Sequence, residues 1–95
     1  MDKLKKMLEK DLDITKRAME KIKLIAPEKS FLKKIGESFL EMAKAYYSDA
    51  LYFYKKKNYI NSFACVNYAH GWLDAGARLG VFDVGCDERL FTLAE

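Results

Sequence analysis

Asn58-Tyr-Ile-Asn-Ser-Phe-Ala-Cys-Val-Asn-Tyr-Ala-His-Gly-Trp-Leu-Asp-Ala-Gly-Ala-Arg-Leu79 decides the reading of this chain. Over these residues the only acid is Asp74 and the only base is Arg78. The rest is apolar, aromatic, small or neutral polar. At about 100° per residue, one face carries Ile60, Phe63, Asn67, His70, Asp74 and Arg78. Another carries Cys65, Tyr68, Ala69, Trp72, Gly76 and Leu79. Neither resembles a charged solvent face, so the stretch predicts a central helix buried on most sides. Gly71 and Gly76 each cost about 1 kcal/mol relative to Ala inside a helix. Close approach of a neighbouring helix is the expected compensation.

Outward from this stretch the boundaries are set by local chemistry. Gly80 suits a left-handed C-terminal stop. Lys57-Asn58 leaves room only for a tight turn, so the preceding helix pairs with the central one as an antiparallel hairpin. That preceding helix runs from about 30 to 57, with Ser30 as its N-cap. Its apolar stripe is Phe31, Ile35, Phe39, Met42, Ala43, Tyr46, Ala50, Phe53 and Tyr54, and Lys and Glu occupy the opposite side. Lys55, Lys56 and Lys57 meet the negative end of its dipole.

A first helix is predicted over residues 2–25, because Leu4, Leu8, Asp11, Thr15, Ala18, Ile22 and Ile25 form one seam at steps of four and three. Pro27 ends it. Asp11 and Thr15 interrupt the seam. Either Leu12 and Ile14 widen the stripe past them, or they make a polar contact that fixes register against another helix. The tail, 80–95, holds Phe82, Leu90, Phe91 and Leu93 and is too apolar to be free. It is expected to fold back onto the bundle or a partner chain, with a helical turn over Asp87–Phe91. The fold class is therefore all-α: one domain over 1–95, an antiparallel three-helix bundle with helices at about 2–25, 30–57 and 59–79.

Composition fits this reading. Apolar residues are 51% and aromatics 14%, which favours a packed core over disorder. The net charge of +3 is far weaker than the footprint of a nucleic-acid binder, and Lys alternates with Glu along the helices. No apolar run has the length of a membrane span and no signal peptide opens the chain, so a cytoplasmic protein is expected. Cys65 and Cys86 lack CxxC spacing and read as reduced thiols.

The candidate site is polar. His70 and Asp74 are four residues apart, as are Asp74 and Arg78, and Asn67 precedes His70 by one turn. Asp49 sits at the edge of the second helix's stripe. First, these residues form a satisfied polar ladder that fixes hairpin register. Second, Asp49, Asn67, His70, Asp74 and Arg78 form a ligand pocket between the second and third helices, holding a small anion or using His70 in acid–base chemistry. No metal site is expected, since the chain has one His and Cys65 points elsewhere. No catalytic residue and no cofactor are assigned. Three helices barely suffice to wrap the central one, so a homo-oligomer or an unknown protein partner is expected.

The runs Asp49-Ala-Leu-Tyr-Phe53 and Val66-Asn-Tyr-Ala-His-Gly-Trp-Leu-Asp-Ala-Gly-Ala-Arg-Leu-Gly-Val-Phe-Asp83 resemble a family of small helical archaeal proteins, domain of unknown function 357. The resemblance covers most of the chain and implies a compact cytoplasmic helical bundle. It supplies no activity. The hairpin also resembles a tetratricopeptide-type unit, which buries its faces only in arrays. A weaker resemblance is to ribonuclease-type helical bundles, in which an Arg precedes the His. Here His70 precedes Arg78, and no role is transferred.

Overall fold

A computed structural model describes residues 2–24 and 30–83. Three helices dominate: α1 (Asp2–Lys21), α2 (Phe31–Lys55) and α3 (Tyr59–Leu79). Two short strands, β1 (Lys23–Leu24) and β2 (Phe82–Asp83), pair antiparallel, Leu24 opposite Phe82. Pro27 and the tail beyond Asp83, including Leu90, Phe91, Leu93, Cys86 and the turn over Asp87–Phe91, lie outside the described residues.

The α2–α3 hairpin is the most extensive contact, as expected from its short connection. Ser30 caps α2, its Oγ accepting from the Lys33 N–H at 3.0 Å. Asn58 caps α3, its Oδ1 accepting from the Asn61 N–H at 3.3 Å. Between them the chain reverses through Lys57 at φ 62°, a left-handed conformation costing a non-glycine residue roughly 1–2 kcal/mol. Helix α2 therefore stops two residues before the predicted end. Small buried residues, Ala43 and Ala50 on α2 and Ala69 on α3, bring the two backbones close. The Ser62 hydroxyl, fully buried, donates to the Ala50 carbonyl at 2.7 Å.

Helix α1 lies across this hairpin. Leu8, Thr15 and Ala18 of its seam are buried, and so is Leu12 beside it. Leu8 and Leu12 pack with Ala50 and Val66, flanked by Tyr59 and Phe63. Further along, Ala18 packs with Leu73, and Met19 and Ile22 of α1 and Trp72 and Ala77 of α3 border the same cluster. The start of α1 is thus beside the start of α3 and their ends are together, so these two helices run parallel. The predicted extension of α1 to Ile25 is not what forms. The Ile22 N–H still returns to the Ala18 carbonyl at 3.2 Å, but Lys23–Leu24 is extended. A non-local partner, β2, takes up its hydrogen bonds.

The tail folds back as far as it is described. Gly80, at φ 85°, ends α3 in the left-handed region, and the N–H groups of Gly80 and Val81 both return to the Gly76 carbonyl. Val81 and Phe82 are then buried against Ala18, Ala43 and Leu73. Two glycines make room for this. A Cβ on Gly36 would stand 2.6 Å from Leu24 Cδ2, and one on Gly76 would strike the ring of Phe82.

The expectation that α3 is buried on most sides is not met among the described residues. Ser62, Val66, Ala69, Leu73 and Gly76 face the core. The opposite flank is open: Ile60 is 76% exposed, Tyr68 63% and Leu79 51%, with Ala64 and Gly71 between them. Three helices give α3 only two neighbours, and two cannot enclose its circumference.

One contact clasps α1 to α2 at the surface. The Tyr54 hydroxyl donates to the Glu9 carboxylate, and this bond, more than its surroundings, pushes the phenol up to about 12. The sign follows from the ordinary value of 10.0: the folded state keeps a proton that the unfolded state has lost. The stability from this bond is present below pH 10 and disappears as pH rises towards 12. In an ultraviolet titration of the tyrosines, Glu9→Gln is expected to bring the Tyr54 ionisation down towards its ordinary value. Unchanged curves for wild type and variant would refute the clasp.

Candidate functional site: a polar cleft between α1 and α3

Thr15 is 2% exposed, although it sits in the middle of the α1 seam where an apolar residue is the simple choice. A buried hydroxyl needs a partner. It finds His70, with Thr15 Oγ1 at 3.2 Å from His70 Nδ1. The other ring nitrogen, Nε2, faces Asp74 Oδ1 at 3.6 Å, one helical turn away on α3. Two proton arrangements satisfy this chain. A neutral ring accepts from Thr15 at Nδ1 and carries its proton on Nε2 towards Asp74. An imidazolium donates at both nitrogens, and Thr15 becomes the acceptor. A hydroxyl serves either role, so the contact survives protonation of the ring.

Around this contact a cleft of about 310 Å³ opens. Helix α1 contributes Asp11, Ile14 and Thr15, and α3 contributes Asn67, His70, Gly71 and Asp74. Of the sequence-derived candidates, Asn67, His70 and Asp74 are brought together here. Asp49 and Arg78 do not line the cleft. Asp49 is exposed on α2 and does approach α3, but on the side of Cys65. Burial first, and the Asp49 charge second, push the Cys65 thiol up. Arg78 is exposed in the last turn of α3. The expected location also changes: the cleft lies between α1 and α3, not between α2 and α3. The signal for this was present in the interruption of the α1 seam at Asp11 and Thr15.

A hydroxyl, an imidazole and a carboxylate in sequence invite comparison with a nucleophilic triad, and the geometry argues against it. The Thr15 hydroxyl is almost wholly covered. Both Thr15 and His70 lie mid-helix, where backbone N–H groups are committed to carbonyls four residues back. No backbone donor is left there to stabilise an oxyanion. The arrangement suits holding a ligand better than attacking one. Among the described residues, no group of three His, Cys, Asp or Glu side chains is placed to hold a metal ion.

On the other side of Gly71 runs a second, apolar groove of about 450 Å³, lined by Asn67, Tyr68, Gly71, Trp72 and Ala75. Tyr68 stacks on Tyr46 with ring centroids 5.1 Å apart, and Trp72 tilts against Phe39 at the same separation. Gly71 borders both clefts, and a Cβ built there meets nothing within 4 Å. Unlike Gly36 and Gly76, it answers no packing need among the described residues.

Among the described residues, no helix is long and apolar enough to cross a membrane. No curated protein and no solved structure matches the chain. A family described as "Protein of unknown function (DUF357)" matches residues 10–82, a span that runs from α1 through the polar cleft to β2. The chain belongs to that family, DUF357.

Proposed function

We propose that this protein is a non-enzymatic helical assembly module that associates through the open flank of α3, with a second copy of itself as partner. The observation that carries this reading is the flank itself. Ile60, Ala64, Tyr68, Gly71, Ala75 and Leu79 recur at helical spacing with two large apolar side chains more than 60% exposed, and no charge interrupts them before Arg78. Charge depletion with an exposed Tyr anchor is the composition of an interface centre rather than of an ordinary solvated face. Gly71 and Ala75 would let a partner helix approach closely. A free Cys65 thiol suits a reducing cytoplasm, where we place the protein.

Sedimentation velocity over a range of concentrations tests this. A species heavier than the monomer is expected. Ile60→Glu and Tyr68→Glu should each return it to monomer with helicity unchanged. A wild type that stays monomeric at the highest concentration ends the proposal.

A second reading has its own support. A small-molecule-binding domain is favoured by the convergence of Asp11, Thr15, Asn67, His70 and Asp74 on one cleft, whose volume of about 310 Å³ falls at the lower end of the range for ligand pockets. The cleft and the flank adjoin at Gly71 but use different side chains, so the two readings are compatible.

A further inference from the structure

We propose that the cleft between α1 and α3 binds a linear aliphatic diamine, with one ammonium at Asp11 and the other at Asp74. The proposal rests on the ligand-binding reading and names its ligand class. Helices α1 and α3 run parallel, and Thr15 meets His70. Asp11 lies one turn before Thr15, and Asp74 one turn after His70. The two carboxylates therefore stand at opposite ends of the cleft, separated along the helices by roughly 12 Å at 1.5 Å per residue.

The lining between them is of another kind. Ile14 and the bare backbone of Gly71 lie between them, beside Thr15 and His70, which engage each other. His70 Nε2 faces one oxygen of Asp74, and an ammonium there would share that carboxylate with the imidazole. Asn67 stands near the Asp11 end and offers a further acceptor, its amide oxygen. The order is carboxylate, a middle in which Ile14 and Gly71 offer an apolar surface beside the engaged Thr15–His70 pair, carboxylate. Its complement is ammonium, alkyl chain, ammonium. Each ammonium would make charge-assisted hydrogen bonds, the stronger kind, in a setting partly shielded from water. Gly71 contributes by its small size: a side chain there would narrow the cleft, and among the described residues nothing requires a glycine at that position.

Other classes of ligand fit less well. A divalent cation needs its ligands within about 2.6 Å of one point, hence no more than about 5 Å from each other, and the two carboxylates are roughly twice that far apart. An anion would face two carboxylates. A monoamine would satisfy one end and leave the other hydrated.

Isothermal titration with 1,4-diaminobutane, 1,5-diaminopentane and 1,8-diaminooctane, against n-butylamine, tests this. Buffer at about 0.15 M salt screens diffuse surface attraction. At least one diamine is expected to bind tenfold or more tightly than the monoamine. Asp11→Asn and Asp74→Asn should each reduce it to the monoamine's level. Gly71→Leu, at an exposed helical position, should block binding while the circular dichroism spectrum is unchanged. Equal binding of diamines and monoamine, or diamine binding indifferent to Asp11→Asn, overturns the proposal. A thermal-shift screen of nucleotides and other metabolites on the same protein separates the two levels. A shift from another class that His70→Ala removes would overturn the diamine assignment and leave the ligand-binding reading standing. No shift from any compound, diamines included, would overturn both.

Discussion

Gly76→Ala is expected to destabilise the fold by about 2–3 kcal/mol, whereas the same change at Gly71 should stabilise it by about 1 kcal/mol. The two residues are five apart in one helix, Gly71 in its interior and Gly76 in its last turn. Propensity alone treats them alike, as a gain of about 1 kcal/mol on replacement by Ala. What differs is the space beside each. A Cβ at Gly76 would strike the ring of Phe82, which is 4% exposed. The ring cannot shift without opening the cluster it shares with Ala18, Ala43, Leu73 and Val81. Overpacking of this kind costs typically 1–3 kcal/mol, and exposing part of a Phe adds a share of the roughly 1.5–3 kcal/mol its burial is worth. Those terms exceed the propensity gain. Beyond Gly71 there is open space, so only the gain remains. Urea unfolding decides the matter: the midpoints should move in opposite directions at similar slope. Destabilisation by Gly71→Ala in dilute, monomeric protein would mean that its surroundings have been misjudged.

These glycines also show where reading the residues alone reaches its limit. Two glycines in a helix announce close approach, and at Gly76 that is what occurs. The residue that approaches is Phe82, brought round by the Gly80 turn, and not a neighbouring helix. At Gly71 nothing among the described residues approaches. Helix α2 and helix α3 were legible because stripe, caps and stop residues all lie within a turn or two of one another. Ser30, Asn58 and Gly80 act locally. The early end of α1 was not legible, because Lys23–Leu24 is extended only by virtue of pairing with residues some sixty positions later. A propensity argument has no access to that partner.

The site was half legible for a related reason. Asn67, His70 and Asp74 share a face of α3 by spacing alone. Which helix that face meets is a question of tertiary register. Asp11 and Thr15 stood out as polar breaks in a seam, yet a seam does not say what it packs against. Asp49 lies near α3, but on the side of Cys65. In the sequence, the sparse charge on α3 reads as enclosure. It marks instead a helix with one core-facing side and one uncovered apolar side, and that difference turns an argument about the interior into one about association.

Leu73→Ala should cost more than Trp72→Ala, against the order of side-chain size. Leu73 is fully buried at the point where α1, α2, α3 and the β2 segment converge, packed with Ala18, Ala43, Val81 and Phe82. Two of these neighbours are alanines, too short to collapse into the space that a missing isobutyl group leaves. A cavity that stays open places Leu73→Ala at about 3–4 kcal/mol, within the range for buried leucines. Trp72 is only partly buried. It leans on Phe39 with ring centroids 5.1 Å apart and borders the open groove with its remaining surface. Its truncation should cost about 2 kcal/mol in monomeric protein, roughly half the figure for an enclosed ring. Association would change that value. If a second copy covers the groove, the cost of Trp72→Ala should grow with protein concentration, because the mutation then weakens both folding and assembly. The cost of Leu73→Ala, deep in one chain, should reflect the fold far more than the partner. Unfolding curves for both variants at low and high concentration therefore read the core and the interface separately. A Trp72→Ala penalty that is the same at every concentration would leave the groove uncovered and count against association through α3.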